Sequence, residues 1–283
     1  MSTWLTNLSK PYCGGPNYGE VRTMIFQLEG WELTARFPGG RVQFSEPIQP
    51  VNYSYSVPDW FENHAAQIGS IISVRVYTDS WAFVPSFKNR LFQAMTGSTD
   101  PIAEIYVAID IMKLRGGKEL DRKTPAALGE YVRWEYQDFL ETLPVEGRGN
   151  GSNYIIRQRE GQLLATKGER YRRNHDAALK SQLEPHPQQM EQREIEGRLW
   201  THYTIGEHPR VPKSCYATPL DNEYYLHLRF DYRWYHDQEK YGEALTPEMQ
   251  QIEQWMMPRL RLSEVNPALN APADKTRLLP PGA

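Results

Sequence analysis

The chain has 283 residues, 40% of them apolar, and its 32 basic and 35 acidic side chains give a net charge of −3. This length allows a substantial core in about one or two domains. The charge balance does not favour a general attraction to nucleic acid or to an acidic membrane surface. The two thiols, Cys13 and Cys215, are too few for a disulfide framework or a thiolate metal site, and we expect both to be reduced.

The first residues, from Met1 to Pro11, contain no basic start, no useful apolar run and no small-residue cleavage site. This pattern predicts that there is no secretory signal. No uncharged apolar stretch of the chain approaches the ~20 residues that a membrane helix requires. We therefore expect a cytoplasmic protein that does not associate with membranes.

The first half of the chain alternates predicted strands with predicted helices. Residues 21–28 and 31–37 flank the turn Glu29-Gly30, and this arrangement is typical of a β-hairpin. Two of the helices begin with a proline in the first turn, where its missing N–H is tolerated. Further strands are predicted at residues 41–44, 72–77 and 105–111, and helices at residues 58–68, 87–95 and 124–143. Residues 1–147 are thus predicted to form an N-terminal α+β domain.

A polar region follows at residues 148–196. It opens with the flexible stretch 148–152, and between Arg157 and Lys180 it carries seven basic against three acidic residues. Such a charge run could form a phosphate-binding helix, but without interleaved aromatic residues it is more typical of a solvated surface. We predict that this region links two domains and contains a helix.

The second domain is predicted to span residues 197–265, with a disordered, proline-rich tail at residues 266–283. Strands are predicted at residues 199–205 and 224–233, and Thr246-Pro247 predicts the start of a helix that Pro258 ends. The predicted fold class is therefore α+β, with two small domains that each contain an antiparallel sheet and one or two packed helices.

The strand at residues 224–233 is the centre of the functional hypothesis. Its even-numbered residues are apolar or aromatic, and because side chains alternate along a strand, they should line a core. The odd-numbered residues should then form a polar row that faces solvent, either as a functional surface or as the ordinary wet face of an antiparallel sheet. This row consists of Tyr225, His227, Arg229, Asp231 and Arg233.

The sequence contains no recognisable catalytic or metal-binding pattern. It lacks a nucleophile elbow and a phosphate-binding loop, and Pro58-Asp59 fits a helix start better than a nuclease motif. A metal site could gather only His202, His227, His236, Asp231 and Asp237, whose spacing matches no known ligand pattern. We therefore expect no catalytic residue, no metal and no cofactor. An enzyme of unknown reaction, with a histidine and carboxylate site near His202 and His227, is the alternative.

The segment from Cys215 to Met256 contains eight acidic against three basic residues and is dense in tyrosine and tryptophan. Carboxylates speed the encounter with a basic partner, and Tyr, Trp and Arg supply much of the energy of protein interfaces. The combination suits docking onto a cationic protein, such as a nuclease. An ordinary acidic exterior over an aromatic core would give the same composition.

The blocks 199–203 and 215–232, the Thr246-Pro247 helix start and the Gly30-Trp31-Glu32-Leu33 hairpin together resemble bacterial toxin-immunity proteins. The resemblance is to those that accompany nuclease effectors of restriction-endonuclease fold, delivered by type VI secretion. It implies a non-enzymatic α+β protein that stays in the cytoplasm and blocks its cognate toxin by tight binding, without a cofactor.

The leading hypothesis is therefore an antitoxin that inhibits a secreted nuclease by occluding or distorting its active site. It would contact neither nucleic acid nor membrane directly. The sequence leaves open whether the protein forms a homodimer. The predicted partner contacts are Tyr225, His227, Arg229, Asp231 and Arg233, with Asp221 and Glu223 as steering charges. An adaptor that loads an effector onto a secretion machine is a further alternative, which would show binding without inhibition.

Overall fold

The computed structural model describes residues 12–40, 52–68, 70, 72–85, 101–120, 126–143, 151–167, 182–206, 213–235 and 238–265. Within these ranges the chain forms ten strands and four α-helices. The strands are β1 (Tyr12–Gly14), β2 (Asn17–Leu28), β3 (Trp31–Gly39), β4 (Ser73–Pro85), β5 (Ala103–Lys113), β6 (Pro187–Ile195), β7 (Arg198–Ile205), β8 (Lys213–Pro219), β9 (Tyr224–Trp234) and β10 (Arg261–Glu264). The helices are α1 (Trp60–Gln67), α2 (Ala126–Glu141), α3 (Ser152–Lys167) and α4 (Gln238–Met256).

The strands form two antiparallel sheets, which confirms the α+β class. Seven strands pair in the order β1-β4-β5-β9-β8-β7-β6, and three pair in the order β10-β3-β2. In the larger sheet β9 pairs with β5 along its whole length, from Ala103 opposite Trp234 to Lys113 opposite Tyr224. Because β5 and β9 come from the two halves of the chain, one sheet joins both halves. Two small domains with a sheet each are therefore not confirmed.

Strand β5 shows that the larger sheet is packed on both faces. Val107 and Ile109 are buried on one face, and Ala108 and Asp110 are buried on the other. A strand that is buried on both sides needs an element packed on each side. We call the face that carries Val107 face A and the face that carries Ala108 face B.

Face A packs against the three-stranded sheet, α1 and α4. Phe26 and Leu33 from the small sheet, Phe61 from α1 and Met249 from α4 belong to one buried cluster with the face A residues of β5 and β9. Each fully buried side chain of this kind contributes roughly 1.5–3 kcal/mol through its removal from water. This cluster is the main core of the described part of the chain.

Face B packs against α2. Leu128, Tyr131 and Val132 are buried at helical spacing and form a second cluster with Cys215 and Tyr225 of the sheet. A Cβ atom on Gly129 would stand 3.0 Å from the Met190 sulfur of β6, so the missing side chain lets α2 approach this edge of the sheet closely.

Several predicted elements are confirmed, namely the 21–37 hairpin and the strands and helices near residues 58–68, 72–77, 105–111, 124–143, 199–205 and 224–233. The region at 148–196 contains the predicted helix, α3, but it also contains β6, and neither β6 nor β8 was predicted. The strand at 41–44, the helix at 87–95 and the tail at 266–283 lie outside the described residues.

Helix α4 corrects the predicted start at Thr246, because it begins at Gln238 and contains Pro247 in its interior. Proline removes one helical hydrogen bond, which normally disfavours an interior position. Here Tyr241 and Leu245, before the proline, are buried in the same core as Met249 after it. Burial of this apolar stripe outweighs the lost hydrogen bond.

Candidate functional site

The polar row of β9 lies on face B, but most of it is wholly or partly buried there. Tyr225 and His227 are only 2% and 7% exposed, Arg229 is partly buried, Asp231 is 9% exposed and Arg233 is exposed. The expectation that the row faces solvent is therefore wrong for Tyr225, His227 and Asp231, which are buried, and holds fully only for Arg233. β9 is a central strand whose residue Tyr225 is covered by α2, so a partner could touch Tyr225 only if α2 moved away. His227 is enclosed between Tyr203 and Tyr225.

A buried carboxyl group ties α2 to the sheet. Glu135 of α2 accepts hydrogen bonds from the hydroxyls of Tyr225 at 3.0 Å and Tyr131 at 3.1 Å. The Tyr131 oxygen in turn accepts the backbone N–H of Arg115 at 2.8 Å. Burial raises the pKa of Glu135 above its usual value, although both tyrosine hydrogen bonds oppose the shift. This network positions the helix and leaves Tyr225 with a structural partner.

His227 is likewise satisfied inside the protein. Its Nε2 and the Tyr203 hydroxyl are joined by a 3.0 Å hydrogen bond. Burial, followed by the nearby charges of Arg229 and Arg75, lowers the pKa of His227 to about 3. The imidazole is therefore neutral at physiological pH and adds no positive charge to face B.

Strands β4 and β5 place a second polar group on face B. The Arg75 guanidinium donates from Nε to Asp110 and from Nη1 to the Tyr106 hydroxyl at 2.7 Å. Burial raises the pKa of Asp110, while the Arg75 charge opposes this shift. Arg75 is thus engaged by two acceptors.

The end of face B that α2 leaves open carries a connected set of charged and aromatic side chains. The Asp231 carboxylate lies 3.7 Å from both the Lys213 ammonium and Nε of Arg233. Nη1 of Arg233 is 3.7 Å from Glu104, to which the Tyr235 hydroxyl donates at 2.6 Å. The Arg233 guanidinium also stands 4.3 Å from the centre of the Tyr106 ring, within cation–π distance. We call these residues the polar rim: Glu104, Tyr106, Lys213, Asp231, Arg233 and Tyr235.

The predicted steering charges lie at the opposite end of β9. Asp221 Oδ1 accepts the backbone N–H groups of Glu223 and Tyr224, both at 2.7 Å, and so shapes the turn between β8 and β9. Glu223 is exposed. Ten residues of strand separate Glu223 from Arg233, or roughly 33 Å at strand rise. The structure therefore brings Asp231 and Arg233 together but leaves Asp221 and Glu223 far from them, and their steering role stays a prediction.

The two histidines of the alternative enzyme hypothesis do not share one site, because His202 lies on face A and His227 on face B. His202 contacts Ser214 Oγ through Nε2 at 3.0 Å and Glu191 through Nδ1 at 3.2 Å, and burial lowers its pKa. His236 and Asp237 lie outside the described residues. In the ranges that the structure describes, no three His, Cys, Asp or Glu side chains are grouped so as to hold a metal ion.

The two cysteines are free thiols in separate places. Cys13 is exposed on β1, and Cys215 is buried on face B. Burial raises the pKa of the Cys215 thiol to about 12. A thiol with so high a pKa is not an activated nucleophile.

Four rim residues were missed by reasoning on the sequence, namely Glu104, Tyr106, Lys213 and Tyr235. The signal for two of them is visible in β5, where Glu104, Tyr106 and Asp110 alternate with the apolar positions that identified the strand. What the sequence could not supply is the register that sets Tyr106 opposite Asp231 and Glu104 opposite Arg233.

Comparison with known proteins found no matching family model, no matching curated protein and no matching solved structure. Among the described helices, none has the length and apolar character needed to cross a membrane. The functional argument therefore rests on the side chains of face B.

Proposed function

We propose that the protein is a cytoplasmic immunity protein that binds and inhibits a cognate nuclease toxin, and that the polar rim is its docking surface. The observation that carries the proposal is the stack of Arg233 on Tyr106 beside the exposed Tyr235. Arginine and tyrosine are among the residue types that contribute most energy to protein interfaces. Two of the contacts predicted from sequence, Asp231 and Arg233, belong to this surface.

The rim charges are available to a partner because they add little to the stability of the fold. The Arg233 and Lys213 side chains are 42% and 45% exposed, and their ion pairs span 3.7 Å. Exposed pairs of this kind contribute about 0–1 kcal/mol. A partner that offers better-placed groups can therefore exchange for them at small cost.

The rigid core behind the rim also favours tight binding. Ile105 and Phe230, which lie on the same strands as the rim residues but on face A, are fully buried in the main core. Side chains on a rigid sheet lose less conformational freedom on binding than side chains on loops, which improves affinity. Such a surface suits occlusion of a toxin's active site by a preformed block.

The test uses the product of the gene adjacent to this one as the candidate toxin. Coexpression should protect cells from it, and the two proteins should copurify. The double variant Arg233→Glu, Tyr235→Ala should weaken binding by at least about 30-fold and abolish protection, as expected for the loss of central interface residues.

Arg259→Glu provides the matched control, because Arg259 is also an exposed arginine stacked on an aromatic ring, 4.6 Å from the centre of Trp255. It follows α4, away from the rim, and its replacement should leave binding and protection unchanged. If Arg259→Glu weakened binding as much as the double variant at the rim, docking at the rim would be contradicted. Binding without protection would favour the adaptor, and absence of binding by the wild-type protein would refute the proposed function for this pair.

A further inference from the structure

Arg229 stands between the covered and the open parts of face B and differs from the cations around it. Arg229 is partly buried, and its Nε atom is buried without a hydrogen-bond partner in the part of the chain that the structure describes. No described residue forms a hydrogen bond or ion pair with its guanidinium, whereas Arg75 is bound to Asp110 and Arg233 approaches Glu104. Asp110 and Arg229 interact only through their longer-range charges.

The strands on either side of Arg229 carry small side chains at its level. In the sheet register Arg229 lies opposite Ala108 on β5 and opposite Cys215 on β8, and both neighbours are fully buried. Neither side chain is long enough to stand beside the guanidinium. The next face B residue along β9 toward α2 is His227, whose neutral ring brings no competing charge.

A partly desolvated guanidinium without a partner disfavours folding, because the lost hydration is not replaced by hydrogen bonds. The same group becomes favourable when an anion reaches it, since arginine binds a carboxylate through two parallel hydrogen bonds. The free protein thus presents a cation whose partner is not among the described residues of its own chain.

We propose that Arg229 is the receptor for a carboxylate of the protein partner, so that an aspartate or glutamate side chain of the partner is inserted beside the polar rim. This inference rests on the proposed function and adds the chemistry of the contact. The rim supplies a boundary of mixed charge, while the charge at its inner edge that lacks a partner among the described residues is positive. An acidic side chain is the complement of that positive charge.

The decisive variant is Arg229→Met, which keeps a long side chain but removes the charge. The free protein should then become more stable, with a thermal midpoint about 2–4 °C higher, because an unpaired charge is replaced by an apolar group. Binding of the adjacent gene product should weaken by about 100-fold, as for the loss of one member of a buried charge pair. Arg229→Lys should recover only part of the affinity, because an ammonium cannot form the two parallel bonds.

Arg75→Met is the matched control on the same face. Arg75 has its own partner in Asp110, so its removal leaves a buried carboxylate unpaired and should lower the thermal midpoint. Opposite signs of the two midpoint changes separate a receptor from a structural arginine. A lower midpoint for Arg229→Met, or unchanged affinity for the partner, would overturn the proposal.

A second readout keeps this inference distinct from the proposed function. Sodium sulfate, compared with sodium chloride at equal ionic strength, should raise the thermal midpoint of the wild-type protein more than that of Arg229→Met. General effects of sulfate on protein stability act on both proteins and cancel in the difference. If the adjacent gene product does not bind, the proposed function fails for that pair, but a sulfate effect that depends on Arg229 still supports an anion receptor. Equal shifts in the two proteins would refute it.

Discussion

Replacement of Glu135 by leucine tests whether α2 is held on face B by its buried carboxyl group. The substitution leaves the hydroxyls of Tyr131 and Tyr225 without their acceptor, and these residues are only 5% and 2% exposed, so neither hydroxyl can turn to water. Each unpaired buried donor costs about 1–3 kcal/mol. Together they should lower the free energy of unfolding by roughly 2–6 kcal/mol, which for a chain of this size lowers the thermal midpoint by about 5–20 °C.

The assay is thermal and urea-induced unfolding of the full chain at neutral pH. Glu130→Leu on the same helix is the control, because Glu130 is exposed and a surface change of this kind should alter stability by no more than about 0.5 kcal/mol. The reasoning is refuted if the Glu135 variant unfolds together with the Glu130 variant.

Three further predictions concern pH, backbone geometry and charge. Burial raises the pKa of Glu135 in the folded state, so its stabilising contribution is greatest below the unfolded pKa of about 4.3 and is lost as pH rises through the folded-state pKa. Glu135→Gln should therefore gain stability relative to wild type as pH rises above about 4.3, and a flat difference in urea unfolding would refute this. Gly14→Ala should lower the free energy of unfolding by about 1–3 kcal/mol, because Gly14 has φ +91° and the added Cβ would stand 2.5 Å from a carbonyl oxygen of β4. The control is Gly161→Ala in α3, where the added Cβ has no neighbour within 4 Å, and it should be neutral or stabilising in the same assay. Glu223→Lys separates docking at the polar rim from the steering role predicted from the sequence. Several Debye lengths separate Glu223 from the rim, so docking there should leave the stopped-flow association rate within about two-fold at physiological salt, whereas a large rate change would support steering and place the docking surface at this end of β9. Asp221→Ala should cost about 1–2 kcal/mol of stability, because its carboxylate accepts two backbone N–H groups.

Local patterns predicted the elements whose alternation or helical spacing is regular. Strand β5 is an example, because apolar residues recur at every second position from Ile105 to Ile111. Strand β4 was predicted only to Tyr77, although it continues to Pro85. A register shift between Arg75 and Tyr77 breaks the alternation at that point, and a sequence pattern of period two cannot pass through such a bulge.

The long-range arrangement was not predictable in the same way. The pattern of β9 indicated correctly which residues line face A, but it could not show that α2 covers Tyr225 or that His227 is buried beside Tyr203 on face B. Polar residues on a strand are compatible with solvent or with a satisfied buried network, and only the partner, here Glu135, decides between them. The two-domain prediction is not confirmed, for a related reason. The pairing of β5 with β9 joins segments that are distant in the sequence, and no local sequence pattern indicates such a pairing.

Hydrogen exchange of the chain alone and in complex with the product of the adjacent gene tests docking at the polar rim most directly. The account predicts that binding protects backbone amides in residues 229–235 of β9 and its exit and in residues 103–108 of β5, which carry Arg229 and most of the rim. Protection confined to the three-stranded sheet and α4, with the rim segments unchanged, would contradict it.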